Sequence, residues 1–442
     1  MIRIFVAVIV TLFVAGPAFA QARPQPAETV QRIMTSGKYR EAIVFLAGDY
    51  ERVVAEWIRL TEIPAPPFKE MQRARAYLEL MRQYGLSDVH MDEEGNVIGL
   101  RKGAGGPLIA VSAHLDTVFP EGTDVKVKRD GNKLLAPGIA DDTRGLAVML
   151  ALIRALDTAK IETTSDILFV ASVGEEGLGD LRGMKHLFLK GPYKDKIKTF
   201  VGLDGGMPAR VTTTSLGSRR YRLMFTGPGG HSYGAFGTVN PMYAMGQFLV
   251  EFGAIKVPAQ TSYSASVAGG GTSVNAIPGE SWMEIDMRSA SPVELTRLEN
   301  RMKEIATAAA AVENKARSTK NGSIGVKFEL VGDRPAGSMA LPSGLQQPGA
   351  AEVPVTVTKD TPLVFFASEA VKAHGLKPEF LAGSTDANVA MSLGIPAITI
   401  SPGAGDRAHA LDEWADAGKE LSMRQLGIVM TTVLATSGIR MD

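Results

Sequence analysis

Short apolar stretches alternate with helix-length amphipathic ones through most of the chain. Residues 97–100, 108–111 and 166–173 read as strands and 143–156 as a helix, after two opening helices at 27–60 and 69–84, the second stopped by Gly85. Strands alternating with helices predict an α/β sheet, and the ends of such strands are where a site can be built. From about Thr213 the texture changes to strand 220–225, helix 241–252, strands 261–267 and 282–288, helix 292–312 and strand 325–331. This β-α-β-β-α-β order predicts a small α+β unit with its helices on one sheet face. It is an insert, because α/β texture resumes at 361–374, 397–400 and 419–434. The expected division is 21–212 and 334–442 for the larger domain and 213–333 for the insert, with a Gly/Pro-rich boundary at 332–354.

Composition removes several function classes. The chain has no cysteine, which excludes disulfides, thiolate metal sites and a cysteine nucleophile and leaves histidine and carboxylates as metal ligands. Lys+Arg 47 balance Asp+Glu 47, and no basic-aromatic stripe appears, so nucleic acid is not an expected partner. Neither the GxSxG pattern of a serine hydrolase nor a GxxxxGK[ST] phosphate loop occurs. Residues 1–20 pair Arg3 with an apolar run from Ile4 to Val14 and end Ala18-Phe19-Ala20, the pattern of a secretory signal. Gly16 and Pro17 interrupt the run, which is shorter than the ~20 residues a spanning helix needs, so the mature chain is expected to be exported, periplasmic and not inserted in a membrane.

Acids and histidines gather where the strands end. His114 and Asp116 are two apart after an apolar run; the period of two puts them on one strand face, as a metal ligand with an orienting acid or as a structural pair. Asp141 and Asp142 stand where a loop enters a helix, suited to a metal or to capping. Glu175 and Glu176 are adjacent after a buried strand, costly unless a cation or a proton separates their roles, or else a solvated turn. Asp204 follows the apolar 201–203, and His409 follows the strand at 397–400. Together these ends meet the demand of a two-metal N/O cluster.

The stretches SAHLDTV (112–118), GIADDTRG (138–145), GEEGLGD (174–180), LDGG (203–206), GPGGHS (227–232), NAIPG (275–279), GSTDAN (383–388) and GAGDRAHALDE (403–413) resemble, in order and approximate spacing, the co-catalytic zinc M20 metallopeptidases, a family with tripeptidase, carboxypeptidase and N-acyl-amino-acid amidohydrolase branches. The resemblance runs from about Tyr50 onward. It implies a zinc-peptidase-type α/β/α catalytic domain carrying an inserted ferredoxin-like lid and dimerisation domain. It also implies two Zn2+ per subunit, with Mn2+ or Co2+ suited to similar sites: His114 and Asp204 on one metal, Glu176 and His409 on the other, Asp141 bridging. Asp116 would orient His114, and Glu175 would be the general base.

The same resemblance makes His231 the oxyanion donor, reaching the cleft of a partner subunit in a homodimer or closing over its own. From its local sequence alone, His231 reads rather as a histidine packed at a turn, and it is the resemblance that reverses this reading. Asn275 and Arg288 resemble groups that bind substrate backbone or its terminal carboxylate; Arg288 also reads as a strand-end surface charge. Thr385 and Asp386 read as a site wall or a helix cap, and Gly403 and Gly405 as places where backbone donors approach substrate. His90, His186 and His374 lie in no such motif and read as structural or surface groups. The expected activity is hydrolysis of short peptides; the alternatives are deacylation of N-acyl amino acids and a noncatalytic peptide-binding or assembly role.

Overall fold

The computed structural model describes residues 25–341, 345 and 354–440. The export signal expected at 1–20 and most of 342–353 of the expected boundary lie outside the described residues. Among the described residues no helix is long and apolar enough to cross a membrane.

A nine-stranded mixed sheet forms the larger domain. At its centre Gly106–His114 runs parallel to both Ser165–Ser172 and Ile197–Leu203, and Ala397–Ile400 runs parallel to Ile197–Leu203 on the other side. These strands are buried on both faces, as their near-continuous apolar sequence requires. Helix Thr143–Thr158 packs against the Gly106–His114 strand and against helix Gly37–Thr61, and its residues 143–156 are all buried. The carboxyl ends of the parallel strands share one edge, which is where the loops bearing acids and histidines emerge.

The opening of the chain differs from expectation. Helix periodicity continues through residues 27–60, yet the structure has two helices there, Pro26–Thr35 and Gly37–Thr61, ahead of Met71–Met81. Ser36 is extended, and its Oγ accepts a hydrogen bond from the Tyr39 amide (3.3 Å), so it caps the second helix and ends the first.

The insert is a four-stranded antiparallel sheet in the order Thr261–Gly270, Glu280–Ser289, Gly217–Thr226, Gly325–Arg334, with helices Pro241–Phe252 and Pro292–Ala316 on one face. Both helices start with a polar cap and a proline, Asn240-Pro241 and Ser291-Pro292. Burial alternates along Glu280–Ser289, and its inward residues Met283, Ile285 and Met287 join Leu223, Phe225, Phe248 and Leu298 in a second hydrophobic core separate from that of the larger domain. The insert leaves the large sheet after Arg210–Ser215 and returns to it at once, Gly337 pairing with Ser215.

Candidate metal centre

The strand carrying His114 ends at that residue, so Asp116 sits in the following loop and not on the same strand face as expected. The pairing survives by another route. His114 Nδ1 lies 3.0 Å from the Asp116 carbonyl and 3.6 Å from its carboxylate, which leaves Nε2 aimed at Asp141, 2.8 Å from its Oδ1. The Asp116 carboxylate accepts the amides of Glu175 (3.0 Å) and Glu176 (2.7 Å) and so ties the two loops together. Burial alone would raise Asp116, but His114 and these amides hold it below its ordinary value.

The adjacent acids divide the two roles that the sequence left open. Asp142 caps helix Thr143–Thr158 through the Gly145 amide (3.1 Å) and accepts the His114 amide (2.9 Å). Asp141 faces both histidines, with His409 Nε2 3.3 Å from its Oδ2. Its loop is held by a residue that sequence reasoning quoted without a role: buried Glu413 accepts the amides of Gly138 (3.0 Å), Ala140 (2.7 Å) and Asp141 (2.9 Å). Burial and the charge of Asp141 push Glu413 up to about 7.

Glu176 completes the group, 2.9 Å from His409 Nε2. Ligand atoms of His114, Asp141 and Glu176 all lie within 4.8 Å of one another, so these three form a cluster able to hold a metal ion. The chemistry of the donors fits one. Imidazole nitrogens and carboxylate oxygens converge, His114 has its second nitrogen fixed by Asp116, and the acids outnumber the bases. Burial would lower His114, yet Asp116 and Asp141 hold it well above its usual value, and the contacts with Asp141 and Glu176 raise His409 to about 10. Asp204 stands one residue past its strand and lines a small cavity with His114, Thr385 and Asp386; burial and the charge of Asp141 raise it to about 7. Acids driven up in this way are what a dication would relieve.

Glu175 contacts neither histidine by hydrogen bond or ion pair among the described residues. Its carboxylate lies 3.1 Å from Arg334 Nη1, and Arg334 Nη2 donates to the Glu175 carbonyl. Burial drives the Glu175 carboxyl well up, while Arg334 opposes it. Sequence reasoning missed Arg334; nothing local marks it.

The remaining residues divide. His231 and Asn275 are exposed on the insert: His231 Nδ1 accepts the Tyr233 and Gly234 amides (3.2 Å each), and the Asn275 Oδ1 accepts from Ser273 Oγ (2.5 Å). No described hydrogen bond or ion pair joins either to the metal cluster. Arg288 donates through Nε to Asp286 (2.6 Å), which Arg220 also contacts. Thr385 Oγ1 accepts the Ala387 amide (3.3 Å) from one residue before the cap position, and Asp386, at that position of helix Ala387–Ser392, makes no side-chain cap: its carboxylate turns inward to Ser112 (3.1 Å) and Ser172 (2.6 Å). Gly403 and Gly405 differ from expectation: the Gly403 amide meets Ser401 Oγ (3.3 Å) and the Gly405 amide the Gly206 carbonyl (2.9 Å), so neither is a free donor. A Cβ at Gly403 would lie 1.7 Å from Arg144 Cζ, and one at Gly405 2.7 Å from the Trp414 carbonyl, so protein packing accounts for both glycines. Of the other histidines, His90 Nδ1 lies 2.8 Å from the Asp88 carbonyl, His374 lies between Tyr39 and Ala370, and His186 is buried near Asp92.

Known proteins agree with this architecture. The chain is 25% identical to carboxypeptidase G2 of Pseudomonas sp. over 342 residues, 75% of this chain and 76% of that one. It is 34% identical to a putative [LysW]-lysine/[LysW]-ornithine hydrolase of Pyrococcus furiosus over 134 residues, 30% of this chain and only 37% of the relative's length. The fold matches a tripeptidase from Staphylococcus aureus (TM-score 0.68, 18% identity, 87% of this chain and 98% of that one). It also matches aminopeptidase PepT from Bacillus cereus (TM-score 0.66, 20% identity, 87% and 99%). The pattern of peptidase family M20/M25/M40 spans residues 110–434, from the His114 strand into the last helix. With a metal-binding cluster at the carboxyl edge of its sheet and the family pattern over most of its length, the chain belongs to peptidase family M20/M25/M40 and is a metallohydrolase of that family.

Proposed function

We propose that the protein hydrolyses amide bonds of short peptides, with Glu175 as general base. The observation that carries this is the division of labour between neighbouring acids: Glu176 faces His409, while Glu175 is buried beside the cluster, kept out of it and held by Arg334. A carboxyl raised by burial suits proton transfer near neutral pH. Two zinc ions would be held by His114 and Asp204 and by Glu176 and His409, with Asp141 between them; manganese or cobalt suits the same donors. Bound zinc supplies Lewis acidity, polarising the scissile carbonyl and acidifying the attacking water. Glu175 takes the water's proton and passes it to the leaving amine. Asp116 keeps His114 in register.

His231 is the donor to the developing oxyanion, and its exposure on the insert supports delivery across a homodimer. Asn275 and Arg288 bind the substrate's backbone or terminal carboxylate, and Thr385 and Asp386 belong to the wall behind His114. The apolar run and Ala18-Phe19-Ala20 of the first twenty residues support export to the periplasm. The names of the structural relatives, a tripeptidase and an aminopeptidase, favour peptides.

Mass-spectrometric product analysis tests the proposal, using metal-free and zinc-restored protein against blocked and unblocked di- and tripeptides and N-acyl amino acids, with Glu175→Gln as control. Zinc-dependent peptide cleavage lost in the variant is the expected result. Release of an acyl acid alone moves the function to deacylation, and turnover independent of Glu175 overturns the assigned base.

A further inference from the structure

The insert joins the larger domain by two chain segments, and one buried side chain holds both. The amide nitrogen of Asn388 donates to the carbonyl of Leu216 on the outgoing segment (2.8 Å) and to that of Pro335 on the returning one (2.9 Å). Its Oδ1 accepts the Thr385 amide (2.9 Å), and its own amide donates to the Thr385 carbonyl (3.0 Å), so the pin is anchored in the larger domain. Asn388 is fully buried. The segments pack tightly beside it: the Leu216 amide donates to the Gly383 carbonyl (2.8 Å), and a Cβ on Gly217 would meet the Ala336 amide nitrogen at 2.8 Å. Both donors of one primary amide are thus spent on two segments far apart in sequence, and the spacing of exit and return is set by the width of that amide.

The residue before the pinned Pro335 is Arg334, the last of the insert's edge strand. Its guanidinium reaches out of the insert into the larger domain. Nη1 donates to the Glu175 carboxylate (3.1 Å) and to Ser384 Oγ (3.0 Å), and Nη2 donates to the Glu175 carbonyl. Two more insert contacts grip the same loop: Arg220 donates to the Gly177 carbonyl, and the Asp333 amide donates to Asp180 Oδ1 (2.9 Å). The orientation of the insert and the place of Glu175 therefore share one short covalent path, Pro335 to Arg334. A rotation of the insert about its two segments moves the root of the arginine, and the planar fork carries that movement to the carboxylate.

We propose that Asn388 is the hinge pin of the insert and that Arg334 is a positioning residue that couples the insert's angle to Glu175. The functional half of the inference rests on Glu175 being the base; the mechanical half does not. Hydrogen–deuterium exchange of the full chain, with and without zinc, reads the mechanics. Asn388→Ala, or the near-isosteric Asn388→Asp, which also lacks the donors, raises exchange at 216–218 and 336–339 and, through Arg334, at 175–180. Arg334→Lys keeps the charge but loses the fork, and raises exchange at 175–180 alone; it serves even where the Asn388 variants do not fold. Exchange that rises at the hinge and not at 175–180 overturns the coupling.

Kinetics read the consequence. Arg334→Lys and Asn388→Ala lower kcat by about 10–100-fold, part of what a general base contributes, and leave KM within about threefold, since neither residue is assigned to bind substrate. Added to Glu175→Gln, Arg334→Lys changes kcat by no more than about twofold, because residues acting as a unit are non-additive. A full additional loss in that background means that Arg334 acts on substrate directly and refutes its positioning role. Absence of turnover in the unmodified protein removes the proposed function, while the exchange pattern still decides the coupling.

Discussion

Gly403→Ala separates packing from substrate approach as the reason for a glycine near the site. The backbone there is not left-handed, so alanine brings only its methyl group, and that methyl would sit 1.7 Å from Cζ and 1.8 Å from Nε of Arg144. Arg144 is buried; it donates to the Ala404 carbonyl (2.5 Å) and to Ser422 Oγ (3.3 Å), and its guanidinium lies 4.8 Å from the Trp57 ring centroid. Moving it sacrifices a charged hydrogen bond of about 1.5–3 kcal/mol and a cation–π contact of about 0.5–2 kcal/mol. A loss of about 3 kcal/mol, against an unfolding entropy of about 2.1 cal/mol/K for each of the roughly 300 residues of the larger domain, lowers Tm by about 5 °C. Scanning calorimetry measures this, and kinetics on the folded variant should show an unchanged KM. In an Arg144→Ala background the same substitution should cost less than about 0.5 kcal/mol, the clash having gone. A variant as stable as the parent but with a raised KM would show that the glycine serves substrate, and the steric reasoning would fail.

Chelated protein should gain about 2.7 kcal/mol on adding zinc to a hundred times its Kd, and Asp141→Asn should lose that gain in thermal melts at the same zinc concentration. Glu175→Gln should lower kcat by roughly 10²–10⁴-fold while zinc uptake, followed by titration calorimetry, stays within a fewfold of the parent. Burial holds His374 below its ordinary 6.5. Its contribution to stability is therefore full above that value and is lost as pH falls towards the folded value, since the unfolded chain takes the proton first. Urea midpoints between pH 7 and 5 should fall less steeply in His374→Gln; an identical slope would mean that the buried imidazole carries none of the pH dependence.

What the sequence discloses is what neighbours along the chain decide. Helix Pro241–Phe252 has the bounds expected of it because Asn240 and Pro241 state its start locally. The break at Ser36 was hidden because apolar spacing continues across it, although a serine before glycine is a capping signal. Asp141 and Asp142 are the same residue type side by side, and only the fold reveals that one faces two histidines while the other caps a helix. Arg334 could not be found from the sequence, since its partner Glu175 lies 159 residues away; Asn388 stands in the GSTDAN stretch, but its role could not be read there, because its side chain reaches Leu216 and Pro335, 172 and 53 residues away. The glycines at 403 and 405 were visible but their reason was not, since it depends on Arg144 and Trp414.

The strand Ala397–Ile400 lies between Ile197–Leu203 and Arg210–Ser215, inside the large sheet, yet the whole insert is translated before it. During synthesis the insert, with its own core, is free to fold while the sheet that will carry it still has a gap. His409 emerges later still, after that gap can close. A nascent or prematurely terminated chain thus holds His114, Asp141 and Glu176 in a sheet without its filling strand, and the proposed ligand His409 joins them only when nearly all of the polypeptide has been translated.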